Sequence, residues 1–314
     1  MPKIITICGG NVLMDMRVIE DRLRQYKPAS KLEELNALKE IAQEITLLAL
    51  SRAEFFKQAA FQGGTCLRIV YGLPRFSEDL DFILFTPDTS FAWRRYLHEI
   101  QLEFESFGLT LEIKDRSQAS SAVKKAFIKE NSFGKILQLA YERNSSDVQV
   151  IQIKLEVDTN PPMGSDFETK IVDFPTPFSI TTQTEPSLFA GKLHALLCRE
   201  YVKGRDWFDF VWYVTRRTPF NPMFLQQALF QQGPWIRKSI EVSLEWVKEQ
   251  LQKKVRSIDW KVASMDVEIL LKSRELQSLS YWNVGFFEHY IERLEIFQKK
   301  ENNLSSDIAP GHKM

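Results

Sequence analysis

Apolar positions recur at intervals of three and four along Leu32, Leu35, Leu38, Ile41, Ile45, Leu48 and Ala53, the spacing that places side chains on one stripe of a helix. Ser30, with Glu33 three residues on, supplies a capping box at its start. Further along, the period changes to two. In residues 150–158, Ile151, Ile153, Leu155 and Val157 face one way and Gln152, Lys154, Glu156 and Asp158 the other, which predicts a strand with one apolar and one polar face. Shorter runs predict strands over residues 109–113 and 136–141. Helical spacing appears in residues 90–107, stopped by Gly108, and again in 185–201, 205–213, 235–255, 265–276 and 282–297. Pro161, Pro162, Pro175, Pro177 and Pro186 mark residues 159–186 as a passage with few helical options, the expected boundary between a sheet domain and a helical one. The organisation expected is an arm over residues 1–30, a sheet domain over 31–175, a helical domain over 176–300 and a loose tail over 301–314. The fold class is α+β, a mixed sheet with flanking helices.

Residues 61–85, FQGGTCLRIVYGLPRFSEDLDFILF, compress a short buried strand, a glycine turn, a helix, a loop and a second strand into one stretch. Gly63, Gly64 and Thr65 stand at the helix start, where oriented N–H groups attract phosphate oxygens and a hydroxyl adds a contact. Asp79 and Asp81, two apart on the second strand, share one face. Two carboxylates so placed suit hard divalent cations that complete their shells with water and substrate phosphate. Such a site normally needs a third acid on an adjoining strand, and the polar face of residues 150–158 offers Glu156 and Asp158.

Composition narrows the classes. The chain has 314 residues, 44% hydrophobic and 26% charged, which is enough for one large or two ordinary globular units. Lys plus Arg equals Asp plus Glu at 41 each, so no overall field draws the chain to nucleic acid or an acidic membrane. A local cluster does exist: Lys114, Arg116, Lys124, Lys125, Lys129 and Lys135, either a solvated face or a contact for RNA or triphosphate. Cys8, Cys66 and Cys198 are far apart and lack metal-ligand spacing, which points to buried thiols in a reducing compartment rather than to zinc. The opening apolar run is short for a signal peptide, and no run of about 18 apolar residues occurs. The expectation is a cytoplasmic protein with no membrane partner.

The order GGT, R-x-S, E-D-x-D resembles the nucleotidyltransferase superfamily with the polymerase-beta-like fold. It is most similar to its AbiEii-type toxin branch, through Gly63, Gly64, Thr65, Leu67, Arg75, Ser77, Asp79 and Asp81. A second signature, K-x-x-A-L-x-x-R followed by G-R-D-x-x-D, is matched by Lys192, Ala195, Leu196, Arg199, Gly204, Arg205, Asp206 and Asp209. The resemblance also places Glu156 in an I-K-x-E/D strand, which implies Glu156 as the third acid with Asp158 in reserve. It implies transfer of a nucleoside monophosphate from a nucleoside triphosphate to an acceptor, with Asp79, Asp81 and Glu156 on two Mg²⁺ ions. Gly63, Gly64, Thr65 and Ser77 would then cradle phosphates, while Arg75 and Lys192 neutralise charge. Asp206 is expected beside Lys192 in the catalytic group, whereas Arg205 and Asp209 suit a structural network. Toxins of this kind belong to toxin–antitoxin and phage-defence systems, some modifying the tRNA 3′ end, which implies tRNA and an antitoxin as partners. A protein acceptor, phosphotransfer, and a binding module without chemistry are the alternatives.

Overall fold

The computed structural model describes residues 12–115, 132–142 and 148–297. Seven strands form one mixed sheet: β1 (Ala59–Gln62), β2 (Asp79–Leu84), β3 (Leu111–Asp115), β4 (Ser132–Glu142), β5 (Val148–Asp158), β6 (Phe167–Val172) and β7 (Phe178–Gln183). Their spatial order is β3-β4-β5-β2-β1-β7-β6. Strand β2 runs antiparallel to β1 and parallel to β5, and β1 is parallel to β7. The strand expected over residues 150–158 is thus central, which explains its unbroken alternation: Leu80, Phe82, Leu155 and Val157 bury one face. Phe82 closes against Phe55 and Trp93, with ring centroids 4.9 and 6.1 Å away.

Strands β6 and β7 lie in the proline-rich passage, where the sequence pattern predicted no strand. Pro175 and Pro177 stand in the connection between them, where no ladder N–H is needed. The boundary expected near residue 175 therefore falls inside an antiparallel hairpin.

Helix α2 (Lys31–Arg52) begins as its capping box predicts. Ser30 Oγ accepts the Glu33 N–H at 3.1 Å, and the Glu33 carboxylate accepts the Ala29 N–H at 3.0 Å. From Ala37 to Leu50 the helix is buried on nearly every side, so its polar residues must find partners. Glu40 accepts from Arg68 Nε (2.8 Å) and from the Tyr26 hydroxyl (2.9 Å), and Glu44 accepts from Arg22 Nη2 (2.6 Å). Gln43 Nε2 donates to the Ser77 carbonyl at 3.1 Å, which fixes the loop leading into β2. The segment expected as an arm contains helix α1 (Val12–Tyr26), whose Ile19 joins the core and whose Arg22 meets Glu44.

The remaining helices are α3 (Gly63–Tyr71), α4 (Arg94–Ser106), α5 (Glu185–Cys198), α6 (Gly204–Thr215), α7 (Pro222–Gln231), α8 (Leu244–Val255), α9 (Trp260–Glu268) and α10 (Val284–Glu292). The helix expected from residue 235 starts only at Leu244, where Ser243 Oγ accepts the Trp246 N–H at 3.1 Å. The one expected over 265–276 starts earlier, capped by Asp259, whose Oδ1 accepts from Lys261 and Val262. Trp207 of α6 packs against Trp260 and Phe287, which stack 3.8 Å apart. One continuous apolar core extends from Ile19 to Leu294 and joins these helices to the sheet. Among the described residues, no helix is long and apolar enough to cross a membrane.

Candidate active site

The site begins where β1 turns into α3. Gly63 sits at φ +80°, and a Cβ there would collide with the Asp81 carboxylate. A Cβ on Gly64 would stand 2.7 Å from Arg75 Nη2 and 2.9 Å from Ser77 Oγ. Both glycines are therefore demanded by close approach, and together they bring the N-terminus of α3 against β2. Thr65 is fully buried, and its hydroxyl donates to the Asp79 carbonyl. That hydroxyl, expected on a phosphate, is committed to tying α3 to the acid strand.

Register assembles the acids. Asp81 lies between Gln62 of β1 and Glu156 of β5, while Asp79 lies opposite Lys154. Asp158 pairs with Ile83, two positions further on, and accepts the Asn160 N–H at 3.0 Å in the turn that follows. Glu156 is thus the carboxylate beside the Asp79–Asp81 pair. Lys154 Nζ stands 3.8 Å from Asp79 Oδ1 and 3.7 Å from Glu156 Oε1. Burial raises the pKa of Asp79; Lys154 and Arg205 oppose the rise, and Glu156 and Glu78 add to it. Among the described residues, no group of three His, Cys, Asp or Glu side chains stands ready to hold a metal ion. The donor chemistry nonetheless suits one: all-oxygen ligands on facing strand positions, with a positive charge already lodged between two of them as the Lys154 ammonium.

Helices α5 and α6 supply a second layer of charge. Arg75, 1% exposed, donates from Nε and Nη2 to the two oxygens of Asp209, both at 2.6 Å, and from Nη1 to the Phe76 carbonyl. Three of its five N–H donors are so engaged and its charge is matched by Asp209, so it braces the loop before β2 instead of offering charge to a phosphate, which corrects the expectation for this residue. Asp209 also receives Lys192 Nζ at 2.8 Å. Lys192 reaches Asp206 Oδ1 at 2.7 Å, and Arg199 holds the other Asp206 oxygen. Burial alone would raise the Asp206 pKa, but Lys192 and Arg199 overcome it and hold the carboxyl well below the usual range. Arg205 joins Glu78 at 3.1 Å, and Lys39 joins the same carboxylate at 3.4 Å. The two signatures, more than a hundred residues apart in the chain, therefore meet through Arg75–Asp209 and Glu78–Arg205.

Three residues of this region were given no role from the sequence: Lys154, Glu78 and Lys203. Lys154 could have been found from its place on the polar face of its strand. Lys203, half-buried before α6, lies over the Tyr201 ring at 5.6 Å. Burial, with Arg205 and Arg199 nearby, lowers its pKa to about 8. Of the basic cluster, Arg116, Lys124, Lys125 and Lys129 lie outside the described residues.

The chain belongs to the family described as nucleotidyl transferase AbiEii toxin, Type IV TA system, whose model matches residues 45–279. Two solved structures from Helicobacter pylori are similar to it in fold. JHP933 is 15% identical at a TM-score of 0.44, covering 82% of this chain and 94% of its own. One described as a candidate nucleotidyltransferase is 16% identical at 0.43, covering 80% and 88%. These likenesses are distant, and the family match carries the assignment. No curated protein matches the chain in sequence.

Proposed function

We propose that this protein transfers a nucleoside monophosphate from a nucleoside triphosphate to the 3′ end of tRNA, in the cytoplasm, as the toxin of a phage-defence pair with its own antitoxin. The observation that carries the reading is the register of Asp81 with Glu156 across β2 and β5, which sets a third carboxylate beside the first two. Asp79, Asp81 and Glu156 would hold two Mg²⁺ ions, which when bound polarise the phosphate oxygens and the attacking hydroxyl. The backbone N–H groups of Gly63 and Gly64 at the start of α3, with the Ser77 hydroxyl, receive phosphate oxygens. Lys192, aligned by Asp206 and Asp209, offsets the charge that develops on the departing pyrophosphate. The acceptor oxygen bonds to the α-phosphorus as the bridging P–O bond breaks, and placement with electrostatics does most of the work.

The test is incubation of the protein with each α-labelled triphosphate, Mg²⁺, and tRNA or cell lysate, beside an Asp79→Ala/Asp81→Ala variant. Label in tRNA, absent with the variant, is expected. Label in protein reassigns the acceptor, and no label above the variant's background overturns the enzymatic reading.

A further inference from the structure

Lys154 is the residue at this site to which the proposed chemistry gives no task. It lies on the polar face of β5, opposite Asp79 in register and two residues before Glu156. Its ammonium stands 3.8 Å from Asp79 Oδ1 and 3.7 Å from Glu156 Oε1, with the side chain only 18% exposed. These separations exceed hydrogen-bond length, so the attraction is of charge for charge. The ammonium occupies the place where two carboxylates of the proposed metal site converge.

We propose that Lys154 is an internal counter-cation: it holds Asp79 and Glu156 in place while no divalent ion is bound, and it competes with that ion for the same two carboxylates. The inference rests on the reading of these acids as metal ligands. Three carboxylates on two adjacent strands repel one another, and a positive charge between them offsets the repulsion. An ammonium on a flexible stem does this without the fixed fork geometry of a guanidinium, and it can swing aside when a dication arrives. Competition is reciprocal, so whatever the lysine contributes to the metal-free state it subtracts from metal affinity. The consequence is a site that takes its ion weakly alone and better together with a triphosphate, whose own negative charge compensates the displaced lysine.

The experiment uses the full chain and Mn²⁺ alone as probe, with free Mn²⁺ counted by electron paramagnetic resonance and melting followed in EDTA and in Mn²⁺. Lys154→Met is expected to bind Mn²⁺ about fivefold tighter or more than the parent, the water-like lower limit for removing a like charge at such a distance. Lys154→Arg should stay near the parent value. In EDTA the Met variant should melt below the parent and recover in Mn²⁺, and Asp79→Asn/Asp81→Asn should abolish binding. Lys154→Gln, polar and uncharged, repeats the comparison if the Met variant folds poorly. Equal or weaker Mn²⁺ binding by the uncharged variants, with binding intact in the parent, overturns the counter-cation while leaving the metal reading whole. Binding by none of the proteins overturns both. Binding seen only once the charge is removed supports the competition directly.

Discussion

At Asp209 one carboxylate serves two cations, the buried Arg75 at 2.6 Å and the partly buried Lys192 at 2.8 Å. Asp209→Ala leaves the buried Arg75 without its counter-charge while Lys192 keeps Asp206, and the expected loss of stability is about 3–5 kcal/mol in urea unfolding, because an uncompensated buried charge costs more than the pair contributes. Gly63 and Gly72 make a second residue-scale contrast. Both have positive φ, +80° and +79°, but a Cβ at Gly72 meets nothing, whereas one at Gly63 meets Asp81. Gly72→Ala should cost about 1 kcal/mol of left-handed strain and keep transferase activity. Gly63→Ala should cost at least as much and abolish label transfer. Lys203 gives a pH signature. Its folded pKa is lowered, first by burial and then by Arg205 and Arg199, to about 8 from the 10.5 of a free lysine. The unfolded chain therefore holds more protons between those values, so this residue makes stability rise as pH climbs from about 8 to 10.5 and withdraws that contribution as pH falls through 8. Denaturant midpoints across that window should rise less steeply in Lys203→Gln than in the parent. The motif glycines and acids were legible in the sequence because backbone reach and strand parity are local properties. The destination of Arg75 was not, since its partner lies 134 residues away.

Among the helices, the close packing of α6 on α9 turns on one glycine. Gly204 opens the helix against α9 so closely that a Cβ would overlap the Ala263 carbonyl. Backbone cannot rotate aside as a side chain can, so Gly204→Ala should destabilise by about 1–3 kcal/mol, toward the upper end, read as a fall in melting temperature. The same change should disturb Lys192, because Asp206 and Asp209 ride on α6. Elements with strong periodicity, α2 and β5, were read correctly within a few residues. Strands β6 and β7 were hidden by the prolines around them, and α7 was missed although Asn221 and Pro222 mark its start.

For the whole molecule, the sheet itself argues against cutting the chain at the proline-rich passage. Strand β7 lies between β1 and β6, and the helices beyond it share the core and supply Asp209 to Arg75. Residues 1–175 expressed alone are expected not to fold cooperatively, whereas the full chain should melt in a single transition by calorimetry and far-ultraviolet circular dichroism together. The alternating strands, the helix that caps at Ser30, the diglycine bend and the acids that share a face each follow from spacing within a few residues, so the chain's local pattern is enough to specify them. That Glu156 stands beside Asp81, that Lys154 lies between two acids and that Arg75 turns inward emerge from long-range packing alone. Strand register and the choice among distant charged partners depend on how remote segments pack, and no local pattern encodes that distance.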